Sequence, residues 1–198
     1  MMAFHFSEFF SAFIMLFVIL DPFVSMGVFA GLTRRADRAE SRKIAFIATS
    51  VAFSLLAVFL LIGDWLFRIL SIDFASFKIA GGIILLIMGV QQVFGLEFKR
   101  SHNTFHSAAV IIGTPLLAGP GALSTIMILQ KEYGFLEPLL AIIVVCIITF
   151  LLLVSVKKMP KFLGPRMIEV MSRVLGLLLA AIAVGFIRDG VMLIIQTV

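Results

Sequence analysis

Residues 116–125, LLAGPGALST, interrupt one of the apolar runs of the chain with three poor helix formers in succession. Pro120 lacks the N–H that an internal helical turn needs, and Gly119 and Gly121 loosen the backbone on either side of it. Any helix built from this run is therefore expected to break here. The question is what an interrupted helix contributes to so apolar a chain.

The composition indicates a lipid environment. The 198 residues are 62% hydrophobic and 14% charged, with a mean hydropathy of +1.18, whereas soluble domains carry about 25% charged residues. The net charge of +5 is explained by membrane topology and anionic lipid, so no nucleic-acid partner is expected. Cys146 is the single cysteine and cannot form an intramolecular disulfide.

Six runs are long enough to cross a bilayer, since a spanning helix needs about 20 mostly apolar residues. They cover residues 9–32, 44–67, 79–96, 108–129, 139–156 and 174–195. The first ten residues, MMAFHFSEFF, contain no basic segment and no cleavage pattern follows, so the first run is interpreted as a retained span. The expected fold is an all-α integral membrane protein with one transmembrane domain over residues 1–198.

The distribution of cationic residues predicts the orientation. Twelve Lys and Arg residues fall in the odd-numbered loops and three in the even-numbered loops. Positively charged loops remain on the cytoplasmic side. Both termini are therefore predicted to lie outside.

Two pairs of segments indicate an internal repeat. Residues 78–95, KIAGGIILLIMGVQQVFG, resemble residues 173–190, RVLGLLLAAIAVGFIRDG, and ILDPFVSM at 19–26 aligns with LAGPGALS at 117–124, which pairs Pro22 with Pro120. Each half would hold three spans, so the second half would enter the membrane from the opposite side. The sequence predicts two inverted three-helix repeats, approximately 1–100 and 101–198, with spans 1 and 4 broken at midmembrane.

Interruptions at corresponding places in two halves indicate a transporter binding site, although an ordinary proline kink is the simpler interpretation of each one alone. Irregular backbone at membrane depth must line protein or a water-filled cavity. Half-helix N-termini suit a carboxylate and half-helix C-termini suit an ammonium, so the pair suits a zwitterion. The candidate substrate-binding residues are Asp21, Pro22, Phe23, Ser25, Gly119, Pro120, Gly121, Ser124 and Thr125.

Ionisable residues inside spans are costly and point to function. Asp21 could hold a substrate ammonium, carry a proton or pair with a cation, and Arg188 in span 6 is the candidate partner for a charge pair. The alternative for Arg188 is that its side chain extends to the outer interface. Gln91 and Gln92 are interpreted as residues that form hydrogen bonds between helices.

The segments LDPFVSMGVFAGLT, FKIAGGIILL, TPLLAGPGALST and SRVLGLLLAAIAVGFIRDGV resemble, in order and spacing, the MarC/SnatA family of bacterial and archaeal membrane proteins. The resemblance covers nearly the whole chain. It departs from the family pattern at Phe23 and Val24, and at Gly185, where the family often has Gln. The resemblance implies an inner-membrane transporter of small neutral amino acids such as glycine, alanine, serine and threonine.

Three classes of function remain open from the residues themselves. The first is a secondary transporter, expected to be an exporter or exchanger, and the second is a passive channel for small polar solutes built from two half-helices. The third, an intramembrane enzyme, is disfavoured because none of its usual motifs appears. No cofactor or metal is expected, and coupling to H⁺ or Na⁺ is possible. The expected partners are a small neutral amino acid and the bilayer, and a homo-oligomer is possible.

Overall fold

A computed structural model describes residues 5–95, 118–156 and 165–197. This part of the chain forms seven helices and contains no strand. The helices are α1 (Phe6–Leu20), α2 (Pro22–Leu32), α3 (Arg38–Leu70), α4 (Phe74–Phe94), α5 (Pro120–Tyr133), α6 (Leu136–Ser155) and α7 (Pro165–Thr197). The prediction of an all-α protein is confirmed for these residues.

Polar residues set the ends of α3 and α4. The side chain of Asp37 accepts a hydrogen bond from the N–H of Glu40 at 2.7 Å and begins α3. Asp73 accepts one from the N–H of Ser76 at 3.0 Å and begins α4, and this bond lowers the pKa of the exposed Asp73 carboxyl. Ser71 ends α3 in the left-handed conformation, with φ of 51°.

Five helical segments are long and apolar enough to cross a membrane: Phe6–Leu32, Arg38–Leu70, Phe74–Phe94, Leu136–Ser155 and Met167–Gln196. They correspond to five of the six predicted spans. The remaining prediction, 108–129, is not confirmed, because residues 108–117 lie outside the described residues. Its described part is α5, which has 14 residues and a length of about 21 Å, less than the ~30 Å hydrocarbon core.

Helices α3 and α7 are longer than the apolar runs that predict them. Each has 33 residues and extends about 50 Å, well beyond the hydrocarbon thickness. Hydropathy marks the part of a helix that lies in lipid. The helix itself continues through charged residues until a capping residue or a turn ends it.

Helices α4 and α7 pack antiparallel, with glycines at their closest approach. A Cβ added to Gly89 would lie 2.8 Å from the backbone O of Gly176, and one added to Gly82 would lie 2.8 Å from the backbone O of Ala183. At the far end of the pair, a Cβ on Gly190 would lie 2.7 Å from the backbone O of Ala75. Small residues allow this contact, since helix association in lipid depends on close packing.

The other helices complete the bundle around a buried core. Helix α1 packs against α6, and α3 packs against α5 and α6. The largest fully buried side chains include Leu16, Phe29, Leu56, Ile126 and Ile142. Exposed apolar side chains on the outer faces of α3, α4 and α7 provide a surface suited to lipid.

Candidate functional site

Asp21 interrupts the first apolar helix. Helix α1 ends at Leu20 and α2 begins at Pro22, while Asp21 between them has the left-handed values φ 34° and ψ 80°. Proline fits the first position of a helix because it has no N–H to satisfy there. Two helices therefore meet at Asp21, and the first N–H groups of α2 have no partners inside their own helix. The prediction that spans 1 and 4 are both broken at midmembrane stays a prediction.

The Asp21 carboxylate accepts hydrogen bonds from those N–H groups and from two side chains of other helices. Its Oδ1 accepts hydrogen bonds from the N–H of Phe23 at 3.0 Å and of Val24 at 3.1 Å. Its Oδ2 accepts from the Nε2 of Gln92 in α4 and, at 3.2 Å, from the hydroxyl of Ser172 in α7. Asp21 is 6% exposed. The carboxylate thus holds the break in place and joins three helices.

Gln92 and Ser172 also bond to each other. The Gln92 Nε2 donates to the Ser172 carbonyl O at 2.9 Å, which links α4 to α7 beside Asp21. The interpretation of Gln92 as a residue that bonds between helices is confirmed. Ser172 was not anticipated, because a serine near the start of a long helix carries no distinguishing sequence signal.

The second predicted interruption falls at the start of α5. Gly119 is the N-cap without a side-chain cap, and Pro120 is the first helical residue. A Cβ on Gly121 would lie 2.7 Å from Cδ2 of Leu85 and 3.0 Å from Sδ of Met88, so α5 approaches α4 closely there. The sequence before residue 118, on which a broken span 4 depends, lies outside the described residues.

Helix α4 connects the two interruptions. It contacts the start of α5 through Leu85 and Met88 and bonds to Asp21 through Gln92. These contacts are separated by four to seven residues, or about 6 to 10 Å along the axis of α4. The two helix N-termini are therefore offset along α4 rather than level with each other.

Two buried hydroxyls near the interruptions have no hydrogen-bond partner within the described parts of the chain. They are the Oγ of Ser25, one turn into α2, and the Oγ1 of Thr125, in the second turn of α5. Both residues are 0% exposed. Buried hydroxyls ordinarily bond to something, so this pair marks positions where a further polar group fits.

The remaining predicted residues of the site pack against neighbouring helices. Phe23 forms an edge-on contact with Phe17, with ring centroids 6.2 Å apart. Ser124 is 9% exposed and faces Gly81 of α4, where an added Cβ would lie 3.2 Å from that of Ser124. These contacts connect the first turns of α2 and α5 to the core of the bundle.

The structure does not bring Arg188 to Asp21. Arg188 lies 16 positions beyond Ser172 on α7, which corresponds to about 24 Å along the helix. Its side chain is 74% exposed and its NH2 donates to Asp189 at 3.0 Å. The prediction that Arg188 pairs directly with Asp21 is therefore wrong for this conformation. Neutral donors surround the Asp21 carboxylate instead.

These features define a multi-pass helical membrane protein with a polar site at an interrupted helix. Residues 6–195 match the family model described as MarC family integral membrane protein, and the chain belongs to the MarC family. A UPF0056 membrane protein of Methanocaldococcus jannaschii is 34% identical, covering 91% of this chain and 94% of the relative. One from Aquifex aeolicus is 33% identical, covering 92% and 91%. No solved structure matches the chain.

Proposed function

We propose that this protein is a secondary transporter of small neutral amino acids, which exports or exchanges them across the inner (cytoplasmic) membrane. The zwitterion would bind near the first turns of α2 and α5. The observation that carries the proposal is the pair of buried hydroxyls, Ser25 and Thr125, which lie just after the two interruptions and lack partners in the described structure.

The chemistry of the two helix starts supports this proposal. Among the described residues, no side chain caps the N–H groups at the start of α5, and a helix N-terminus attracts a carboxylate. The Asp21 carboxylate supplies negative charge at the start of α2, where an ammonium could replace one of its neutral donors. A small ligand fits better than a large one, because Leu85 and Met88 already crowd Gly121.

We further propose that the chain consists of two inverted repeats, approximately 1–100 and 101–198, with a sixth span that includes α5. The antiparallel packing of α4 on α7 supports this proposal, because these are the two helices that the repeat relates. Alternating access would then arise from movement of one repeat against the other.

Replacement of Thr125 by valine separates a binding role from a structural one. Valine keeps the shape of threonine and removes the unpartnered hydroxyl, so the variant is expected to be at least as stable as wild type. If the hydroxyl bonds to substrate, the KM for L-alanine uptake into liposomes should rise about threefold to tenfold. Thr149→Val in α6 is the matched control, since the Thr149 hydroxyl already bonds to the Val145 carbonyl at 2.8 Å.

Three outcomes would contradict the proposal. An unchanged KM in Thr125→Val would remove this hydroxyl from the binding site. Uptake by wild type that rises linearly with L-alanine concentration, without saturation, would indicate a passive channel. Absence of uptake for glycine, alanine, serine and threonine would contradict the substrate class itself.

The proposed topology places both termini outside. Reporter fusions at Met1 and Val198, active only in one compartment, are expected to give an external signal at both ends, because the cationic loops stay in the cytoplasm. A cytoplasmic signal at Val198 together with an external signal at Met1 would mean that the chain crosses the membrane an odd number of times. Two three-helix repeats cross it six times, so this result would contradict the inverted repeat.

A further inference from the structure

A second polar cluster lies at the other end of α4 from Asp21. Lys78, in the second turn of α4, is 4% exposed and forms an ion pair with Glu132 of α5. Its Nζ also lies 3.8 Å from Oδ2 of Asp189 in α7. Lys78 and Gln92 are about 21 Å apart along α4. One buried ammonium therefore joins α4, α5 and α7 at this end.

The cluster lines a cavity of about 350 Å³. Lys78, Glu132, Asp189 and Gln196 provide its polar groups, and Phe74 and Met192 lie on its apolar wall. The side chains of Glu132 and Asp189 are 27% and 43% exposed, while that of Lys78 is 5% exposed. The ammonium is thus the most buried of these three charged groups in an open pocket, and the two carboxylates are more exposed.

The charges of the cluster are balanced. Arg188 pairs with Asp189 at 3.0 Å, so two cations accompany two carboxylates. Removing Glu132 from Lys78 without replacement would leave a buried ion poorly paired, which is strongly unfavourable. A zwitterion offers a carboxylate to Lys78 and an ammonium to Glu132, so that both ions keep a partner when their own bond opens.

We propose that this cavity is a second binding site for a small zwitterionic amino acid, which inserts between Lys78 and Glu132. The inference rests on the proposed function for the class of ligand. Occupancy would replace the direct ion pair between α4 and α5 with a bridge through the ligand. The site at this end would then loosen α5 from α4 only when substrate is present.

Protection of an introduced cysteine tests occupancy directly. In the purified full-length protein, Met192→Cys places a thiol on the cavity wall, and a charged methanethiosulfonate reagent measures its accessibility. L-Alanine at ten times its Kd for this cavity is expected to slow the reaction of the introduced thiol about tenfold. Arg68→Cys is the matched control, because Arg68 is exposed at the C-terminal end of α3 and does not line the cavity. Wild type reports the background from the buried Cys146.

Additional substitutions identify the groups of the cavity that bind the ligand. Lys78→Met in the Met192→Cys protein is expected to abolish protection, and Lys78→Arg to retain it, with both eluting as monodisperse protein. Asp21→Asn should leave protection intact, because that site is at the other end of α4. Propionate and ethylamine each carry only one end of the zwitterion, so protection by either one alone would overturn the proposal.

The results distinguish this inference from the proposed function. Saturable L-alanine uptake without protection of Met192→Cys would overturn the second site and leave the transporter in place. Absence of both uptake and protection would overturn the transporter and the site together. Protection that persists unchanged in Lys78→Met would also overturn the inference, because the ligand would then bind without the ammonium.

Discussion

Replacement of Asp21 by alanine is expected to reduce L-alanine uptake by about a hundredfold or more, because it removes the carboxylate that we propose meets the substrate ammonium, and losing one partner of a buried charge pair costs about 2–5 kcal/mol. The variant loses the cap on α2, worth about 1 kcal/mol, and leaves the side-chain donors of Gln92 and Ser172 without their acceptor, at about 1–3 kcal/mol for each unsatisfied group. Alanine is also disfavoured in the left-handed conformation at this position. Uptake into liposomes, corrected for the amount of monodisperse protein inserted, measures the loss.

A cap elsewhere in the chain provides the control. Asp37→Ala removes the acceptor for the N–H of Glu40 at the exposed start of α3, so it should cost a similar amount of capping energy without loss of uptake. Equal uptake by Asp21→Ala and Asp37→Ala would show that Asp21 contributes no more than an ordinary helix cap.

Asp21→Asn isolates the charge. Asparagine keeps an acceptor for the start of α2 and tolerates left-handed backbone, so the variant is expected to fold. If the charge of Asp21 takes part in transport, the affinity for L-alanine should fall and the response to an imposed pH gradient should weaken. The measurement is uptake by variant and wild type at several external pH values, and identical profiles and affinities would restrict Asp21 to capping.

The sequence locates the boundary between α1 and α2 because the relevant physics is local. Pro22 cannot donate in a helical ladder, and Asp21 directly before it provides a side chain that accepts from the following N–H groups. The spans are equally readable, since apolar length is a property of each segment. The ends of helices are harder to predict from sequence. Helix α3, for example, begins at its Asp37 cap, before the apolar run starts.

The hydrogen-bond and ion-pair partners of the polar residues could not be predicted from the sequence in the same way. Gln92 and Ser172 are 71 and 151 positions from Asp21, and their meeting depends on how α4 and α7 pack. Lys78 begins the repeated segment at residues 78–95, and nothing in that segment predicts its burial against Glu132, which arises from the position of α5. The incorrect pairing of Arg188 with Asp21 has the same origin, because spacing within one span does not fix depth relative to another.

Gly89→Leu is expected to prevent formation of the native bundle. A Cβ at Gly89 would lie 2.8 Å from the backbone N of Ala180 and 2.8 Å from the backbone O of Gly176. Backbone atoms within a helix cannot move aside as a flexible side chain can, so α4 and α7 would have to separate. Close packing of small residues holds such helices together in lipid, and its loss is not offset by any hydrophobic gain between them.

Gly185→Leu is the matched control for this effect. Gly185 lies inside α7, as Gly89 lies inside α4, but within the described part of the chain a Cβ there would meet no atom of another element within 4 Å. Leucine also has the higher helix propensity, by up to about 1 kcal/mol. Size-exclusion chromatography and thermal melting of the purified variants should show monodisperse protein with an unchanged or raised Tm for Gly185→Leu, and aggregated protein for Gly89→Leu. A monodisperse Gly89→Leu variant with the wild-type Tm would contradict the close glycine contact between α4 and α7.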